Sequence, residues 1–127
     1  MLDIISLFLL NKINNWKRVN MKYLYLLFAI FFEVIATTVL KSSQGFTVFI
    51  PTVISLLLYG ISFYFLSMCM QYFPTGVVYA VWSGVGIVLI SLFAFLFYKQ
   101  SLDLPAIFGI LMIICGVLIM RLFSKSF

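Results

Sequence analysis

The sequence predicts an all-α integral membrane protein with four transmembrane helices. Of its 127 residues, 65% are hydrophobic, and the mean hydropathy is +1.25. Only 9% of the residues are charged, whereas a typical soluble domain carries about 25%. Four apolar segments, at about 23–40, 48–70, 77–98 and 104–122, are each long enough to cross a hydrocarbon core about 30 Å thick.

The first 20 residues, MLDIISLFLLNKINNWKRVN, differ in composition from the rest of the chain. Their apolar run, Ile4 to Leu10, is too short to span a bilayer, and the segment lacks the basic start and the cleavage site of a signal peptide. Three basic residues come next: Lys12, Lys17 and Arg18. They would suit a helix that lies in the membrane interface. We favour the alternative that translation begins at Met21 and that this leader, residues 1–20, is upstream sequence; residues 21–127 form the four-helix domain.

The first apolar segment contains LLFAIFFEVIATTVL, residues 26–40, with a single ionisable residue, Glu33. A charged side chain at the centre of a bilayer costs about 2.5–3.5 kcal/mol on insertion scales, so such residues usually have a function. The nearest basic residues, Lys22 and Lys41, lie at the two ends of the segment. Glu33 is therefore either protonated or free to bind a cation from outside. The structural alternative is a protonated acid that hydrogen-bonds between helices.

The other acidic residues lie outside the membrane-spanning segments. Asp3 belongs to the leader, and Asp103 precedes Pro105 at the start of the fourth segment, where an acid suits a helix N-terminus. The chain contains no histidine. Glu33 is thus the one residue that could exchange protons at membrane depth at ordinary pH.

Aromatic residues accompany this carboxylate. Tyr79 and Trp82 are three residues apart in the third segment and share a helix face. Tyr59 and Phe63 are one turn apart in the second. Aromatic faces attract organic cations, most strongly where water is excluded. Because 19% of the chain is aromatic, packing would explain any one of these residues; it is their combination with Glu33 that favours a cation site.

Glycines mark two further features. Gly84 and Gly86 lie mid-membrane in the third segment, where they allow a kink or a close approach. Gly109 and Gly116 are seven residues apart on one face of the fourth segment, where small residues favour helix–helix packing in lipid. Four helices hardly enclose a gated path, and transporters usually build one from two halves. We therefore expect the second half to be a second copy of the chain.

Other function classes find little support in the sequence. Cys69 and Cys115 stand alone in apolar runs, so neither a metal site nor a redox pair is predicted. We find no nucleophile–base pair and no phosphate loop, and we expect no enzyme activity and no cofactor. The net charge of +5 comes from basic residues at segment ends. That placement indicates membrane topology rather than nucleic-acid binding.

From Met21 onward the chain closely resembles the small multidrug resistance transporters. Three strings carry the resemblance: FFEVIATTVLKSSQGFT, FPTGVVYAVWSGVGIVLIS and SLDLPAIFGILMIICGVLI. The resemblance implies a four-helix protomer that forms an antiparallel homodimer in a bacterial inner membrane and exchanges protons for drug cations. Lipophilic cations, protons, the bilayer and a second copy are its implied partners.

The resemblance also implies a role for each residue at a matching position. Glu33 matches the membrane-embedded glutamate that binds proton and substrate competitively. The other matching positions are substrate-contacting aromatics, a helix kink and a dimer-packing pair: Tyr59, Phe63, Tyr79, Trp82; Gly84, Gly86; Gly109, Gly116. The aromatics, with Ser83 after Trp82, resemble the quaternary-ammonium branch. The chain departs from the family at Ala36, where glycine is expected, and in its basic leader.

A second function class is compatible with the same residues. The chain could carry another amphiphile, such as a guanidinium, a polyamine or a lipid-linked group, or serve as a subunit of such a carrier. This alternative predicts an obligate partner with a different sequence, whereas a homodimeric exporter functions when expressed alone.

Overall fold

The computed structural model describes residues 2–125, and for Leu2 and Val19 it describes the backbone only. This part of the chain forms four helices: α1 Leu2–Ser42, α2 Phe49–Cys69, α3 Thr75–Tyr98 and α4 Leu104–Phe123. Each is long and apolar enough to cross a membrane. The predicted all-α class with four transmembrane helices is confirmed.

The first helix is much longer than the predicted span of 23–40. It has 41 residues, which corresponds to about 60 Å, twice the thickness of a hydrocarbon core. No glycine or proline interrupts the sequence between Leu2 and Ser42, so nothing local ends the helix at the membrane boundary. The leader is therefore helical and continuous with the first span. Its large apolar side chains, such as Phe8 and Trp16, are exposed.

Short turns place neighbouring helices antiparallel. Between α1 and α2, Gln44, Gly45 and Phe46 all have positive φ, and the Phe46 amide donates to the hydroxyl of Ser43 at 3.2 Å. At the start of α4, the Asp103 carboxylate accepts a hydrogen bond from the Ala106 amide at 3.1 Å. This N-cap is the role that the sequence predicts for Asp103.

Helix α1 packs along α2 and also contacts α3. The Ser62 hydroxyl, on α2, donates to the carbonyl of Ala29, on α1, at 2.7 Å, and both residues are fully buried. The stacked rings of Phe32 and Phe65, with centroids 5.9 Å apart, add an aromatic contact between the same helices. Helix α4 packs against α3 and contains no buried residue. The protomer is therefore a three-helix unit with α4 attached at its side.

A tyrosine fastens the end of α3 to the end of α1. The Tyr98 hydroxyl donates to the carbonyl of Thr38 at 2.7 Å, and it lies 2.7 Å from the hydroxyl of Ser42. Because a phenol has one proton, Ser42 is the donor in the second bond. The Lys41 ammonium lies over the same ring, 5.1 Å from its centroid. These contacts join α1 and α3 near the two loops on this side.

Candidate functional site

The Glu33 carboxylate is joined to α2 through a chain of hydroxyl groups. Its Oε1 accepts a hydrogen bond at 3.0 Å from Thr37, one turn later on α1. The Thr37 oxygen lies 2.7 Å from the hydroxyl of Tyr59. Since Thr37 has one hydroxyl proton and donates it to Glu33, Tyr59 must be the donor to Thr37. The order of donation is thus Tyr59 to Thr37 to Glu33.

The second carboxylate oxygen faces α3. A methyl group at Gly86 would lie 3.2 Å from Oε2 of Glu33, which is closer than most real contacts of this kind. Glycine at this position therefore leaves room for the carboxylate. A pocket of about 130 Å³ lies here, and its lining combines one acid, one indole, one hydroxyl and small or aliphatic residues: Glu33, Trp82, Ser83, Gly86, Ile87 and Ile90.

Trp82, which lines this pocket, has an indole N–H without a hydrogen-bond partner among the described residues. The nitrogen atom, Nε1, is buried. Buried indole N–H groups usually find a partner, so this N–H is an exception among the described residues. The ring of Tyr79 lies beside the indole, with centroids 5.9 Å apart and planes inclined by 50°.

The structure brings some of the predicted site residues together and leaves others at the surface. Glu33, Trp82 and Gly86 line one pocket, and Tyr59 reaches the carboxylate through Thr37. The Phe63 ring stacks on Tyr59 at 6.3 Å, but its side chain is 54% exposed, and Tyr79 is 60% exposed. Phe63 and Tyr79 therefore lie on the outside of a single protomer.

The four glycines singled out in the sequence have different surroundings. A methyl group at Gly84 would come within 2.8 Å of Val117 on α4, so this glycine permits the α3–α4 contact. Helix α3 continues through both Gly84 and Gly86, and a functional kink there stays a prediction. Gly109 and Gly116 are exposed, with open space around them. Their packing between protomers also stays a prediction.

Sequence reasoning missed Thr37 as a site residue. Its signal was available, because residues four apart on a helix lie on the same face, and Thr37 follows Glu33 by four. Ile87 and Ile90 also line the pocket, but they are indistinguishable in sequence from the other apolar residues of α3.

The site combines one acid with hydroxyl and aromatic groups. Among the described residues, no lysine or arginine pairs with Glu33; its one hydrogen-bonding side chain is Thr37. In the same part of the chain, no group of three or more potential metal ligands occurs. A carboxylate in these surroundings can bind a proton or an organic cation, and the adjacent indole face favours the latter.

Comparisons with known proteins place the chain in a family. A sequence model of the family described as Small Multidrug Resistance protein matches residues 21–113. The chain is 53% identical over 104 residues to multidrug transporter EmrE of Escherichia coli strain K12, covering 82% of this chain and 94% of that protein. It is 47% identical over 103 residues to quaternary ammonium compound-resistance protein QacF of Klebsiella aerogenes, covering 81% and 94% of the two chains.

A more distant relative matches over a similar range. The chain is 42% identical over 106 residues to quaternary ammonium compound-resistance protein QacC of Staphylococcus aureus, covering 84% of this chain and 99% of that protein. These relatives are transporters or resistance proteins by name, and the four apolar helices make this chain a multi-pass membrane protein. The matches cover most of every chain compared, and the chain belongs to the Small Multidrug Resistance protein family.

Proposed function

We propose that this protein exports hydrophobic or quaternary-ammonium cations in exchange for protons. The single observation that carries the proposal is Glu33, a carboxylate at membrane depth with an indole beside it and no basic partner in the described residues. The names of its relatives support this substrate class, because they include quaternary ammonium compound-resistance proteins. The organisms of these relatives support a location in a bacterial inner (plasma) membrane.

Competition for one carboxylate is the proposed coupling mechanism. Charged Glu33 accepts the Thr37 hydrogen bond and attracts a cation, whose apolar groups contact the Trp82 ring. A proton arriving at Glu33 removes the negative charge and releases the cation. The carboxylate therefore cannot hold a proton and a cation at the same time, and this exclusion links the two gradients.

A homodimer is the second part of the proposal. The Glu33 pocket measures about 130 Å³, whereas ligand pockets commonly reach 300–1,000 Å³. One protomer thus supplies only part of a site for an organic cation. The exposed rings of Phe63 and Tyr79 are suited to face a second copy or the bound cation. An antiparallel arrangement of the copies would provide the two inverted halves of a transporter.

Replacing Glu33 tests the mechanism. Glu33→Gln should abolish both cation binding and resistance, because a neutral amide cannot carry the charge that attracts the cation. Glu33→Asp serves as the matched control and should retain binding with an altered pH dependence. The measurements are binding of tetraphenylphosphonium to purified protein and growth of expressing bacteria on that cation. Export of the cation by a Glu33→Gln variant that inserts normally would contradict the proposal.

The sign of the pH dependence is set by the competition. As pH falls, protons occupy Glu33 and cation affinity should decrease; as pH rises, affinity should increase until the carboxylate is fully charged.

Expression of this chain alone in a susceptible strain separates the two function classes. Resistance without any added protein supports the homodimeric exporter, whereas a requirement for a second gene would support the carrier-subunit alternative.

A further inference from the structure

A second cavity lies beside Thr37, the residue that donates a hydrogen bond to Glu33. It has a volume of about 210 Å³ and lies between α1 and α3, where polar groups of Thr37, Thr38, Lys41, Tyr98 and Gln100 line it. A cavity of this size has room for several water molecules, and its lining offers the polar partners that water needs. Ile90 borders both this cavity and the Trp82 pocket.

The two carboxylate oxygens of Glu33 have different neighbours. Oε2 faces Gly86 and the Trp82 pocket. Oε1 accepts a hydrogen bond from the hydroxyl of Thr37, and Thr37 is one of the residues that line the second cavity. Thr37 is therefore the group that connects the carboxylate to this cavity. At the other end of the cavity, Lys41 and Gln100 are exposed next to the loops, so the cavity runs from the membrane surface toward Thr37.

We propose that this α1–α3 cavity is the water-filled path by which protons reach and leave Glu33, and that Thr37 is its last hydroxyl. The inference rests on the proposed function, since it assigns a route to the proton of that exchange. The cation enters from the Trp82 side and does not use this path. Thr37 thus acts as a positioning and relay residue for proton transfer.

The transfer step balances without any further reactant. A hydronium ion in the cavity gives a proton to Oγ1 of Thr37, while the original hydroxyl proton of Thr37 moves to Oε1 of Glu33. One O–H bond of the hydronium ion and the old O–H bond of Thr37 break, new O–H bonds form at Oγ1 of Thr37 and Oε1 of Glu33, and a water molecule remains in the cavity. Cation binding reverses the step. Tyr59 keeps donating to Thr37 throughout, using the second lone pair of that oxygen.

Helices α1, α2 and α3 each place a titratable or charged group near this route. Lys41 of α1 and Tyr98 of α3 line the cavity, and Tyr59 of α2 contacts Thr37. The Tyr98 hydroxyl is engaged with Thr38 and Ser42 at the mouth. Within residues 2–125, no carboxylate other than Glu33 lines either space. Glu33 is therefore the proton's destination.

Filling the cavity tests the path through a rate rather than an affinity. Ala94 lines the cavity, so Ala94→Leu should obstruct it, whereas Ala94→Ser is the matched control that keeps it open and polar. Tetraphenylphosphonium is mixed with purified full-length protein in weakly buffered solution, and a pH-indicator dye follows proton release. We expect Ala94→Leu to slow release at least 10-fold, with the number of protons released and the equilibrium affinity unchanged. Ala94→Ser should behave like the wild-type protein.

Thr37 provides an independent variant should Ala94→Leu fail to fold. Thr37→Val retains the shape of the side chain without its hydroxyl and should also slow proton release, while Thr37→Ser should restore the rate. Wild-type release rates in both Ala94→Leu and Thr37→Val would overturn the path. A loss of cation affinity in Ala94→Leu would overturn it too, because it would assign the cavity to the cation. Failure of the wild-type protein itself to release protons would instead refute the proposed exchange.

Discussion

The two carboxylate oxygens of Glu33 have different surroundings. One oxygen accepts from a hydroxyl chain that ends on α2, and the other lies against a glycine of α3. The acid at membrane depth was predictable, because hydropathy and charge along the chain reveal it directly. The Tyr59–Thr37 bond was not, because it depends on how α1 and α2 are rotated against each other, which the pattern of residues along the chain does not reveal.

The Trp82 ring is expected to contact the bound cation. Trp82→Ala should weaken the binding of aryl cations more than tenfold, because contacts with desolvated aromatic faces contribute about 2 kcal/mol. Trp82→Phe is the matched control: it keeps an aromatic face and removes the unpaired N–H. Binding of tetraphenylphosphonium by calorimetry measures both. Unchanged affinity in Trp82→Ala would mean that the indole does not contact the cation.

The helices themselves differ in how well the sequence predicts them. The limits of α2, α3 and α4 differ from the predicted segments by no more than two residues, because Gly, Pro and polar residues punctuate the chain between them. Helix α1 begins at Leu2, well before the first predicted span of 23–40. The predicted span covers only the apolar segment that crosses the hydrocarbon core, whereas a helix can continue beyond it when no residue breaks it. The position of α4 beside α3 depends on tertiary contacts at Gly84, which periodicity does not reveal.

Helix α4 is expected to form the contact between protomers. It has no buried residue, and Gly116 has open space beside it. Gly116→Leu should therefore leave the protomer folded while reducing dimer formation, and drug binding should decrease with it. Cys115→Leu adds bulk on a neighbouring face of the same helix and should have a smaller effect. Cross-linking in membranes measures the dimer, and a fully dimeric Gly116→Leu variant would refute the assignment.

The orientation of the whole molecule depends on a small difference in charge. Lysine and arginine near the ends of spans favour the cytoplasm. From Met21 onward, the side with the two termini carries three such residues, Lys22, Arg121 and Lys125, and the opposite side carries Lys41 and Lys99. A bias of one charge should permit insertion in both orientations, as an antiparallel homodimer requires.

The leader changes this balance. Its three basic residues raise the terminal side to six charges against two. We expect a chain that starts at Met21 to insert both ways and to confer resistance alone, and the full-length chain to insert mainly with its termini in the cytoplasm and to be less active. Labelling of an added C-terminal cysteine with an impermeant reagent measures orientation. Equal dual labelling of both chains would show that the leader's charges do not act on topology.

The separation of α4 from the Glu33 site has a genetic consequence. The described site residues lie on α1, α2 and α3, whereas the open glycine face lies on α4. A chain with a damaged carboxylate would still pair with intact chains and inactivate them, so Glu33→Gln should be dominant over the wild-type gene. A chain with a damaged α4 face would fail to pair and leave intact chains to find one another, so Gly116→Leu should be recessive. Resistance of cells that carry both alleles distinguishes these two patterns.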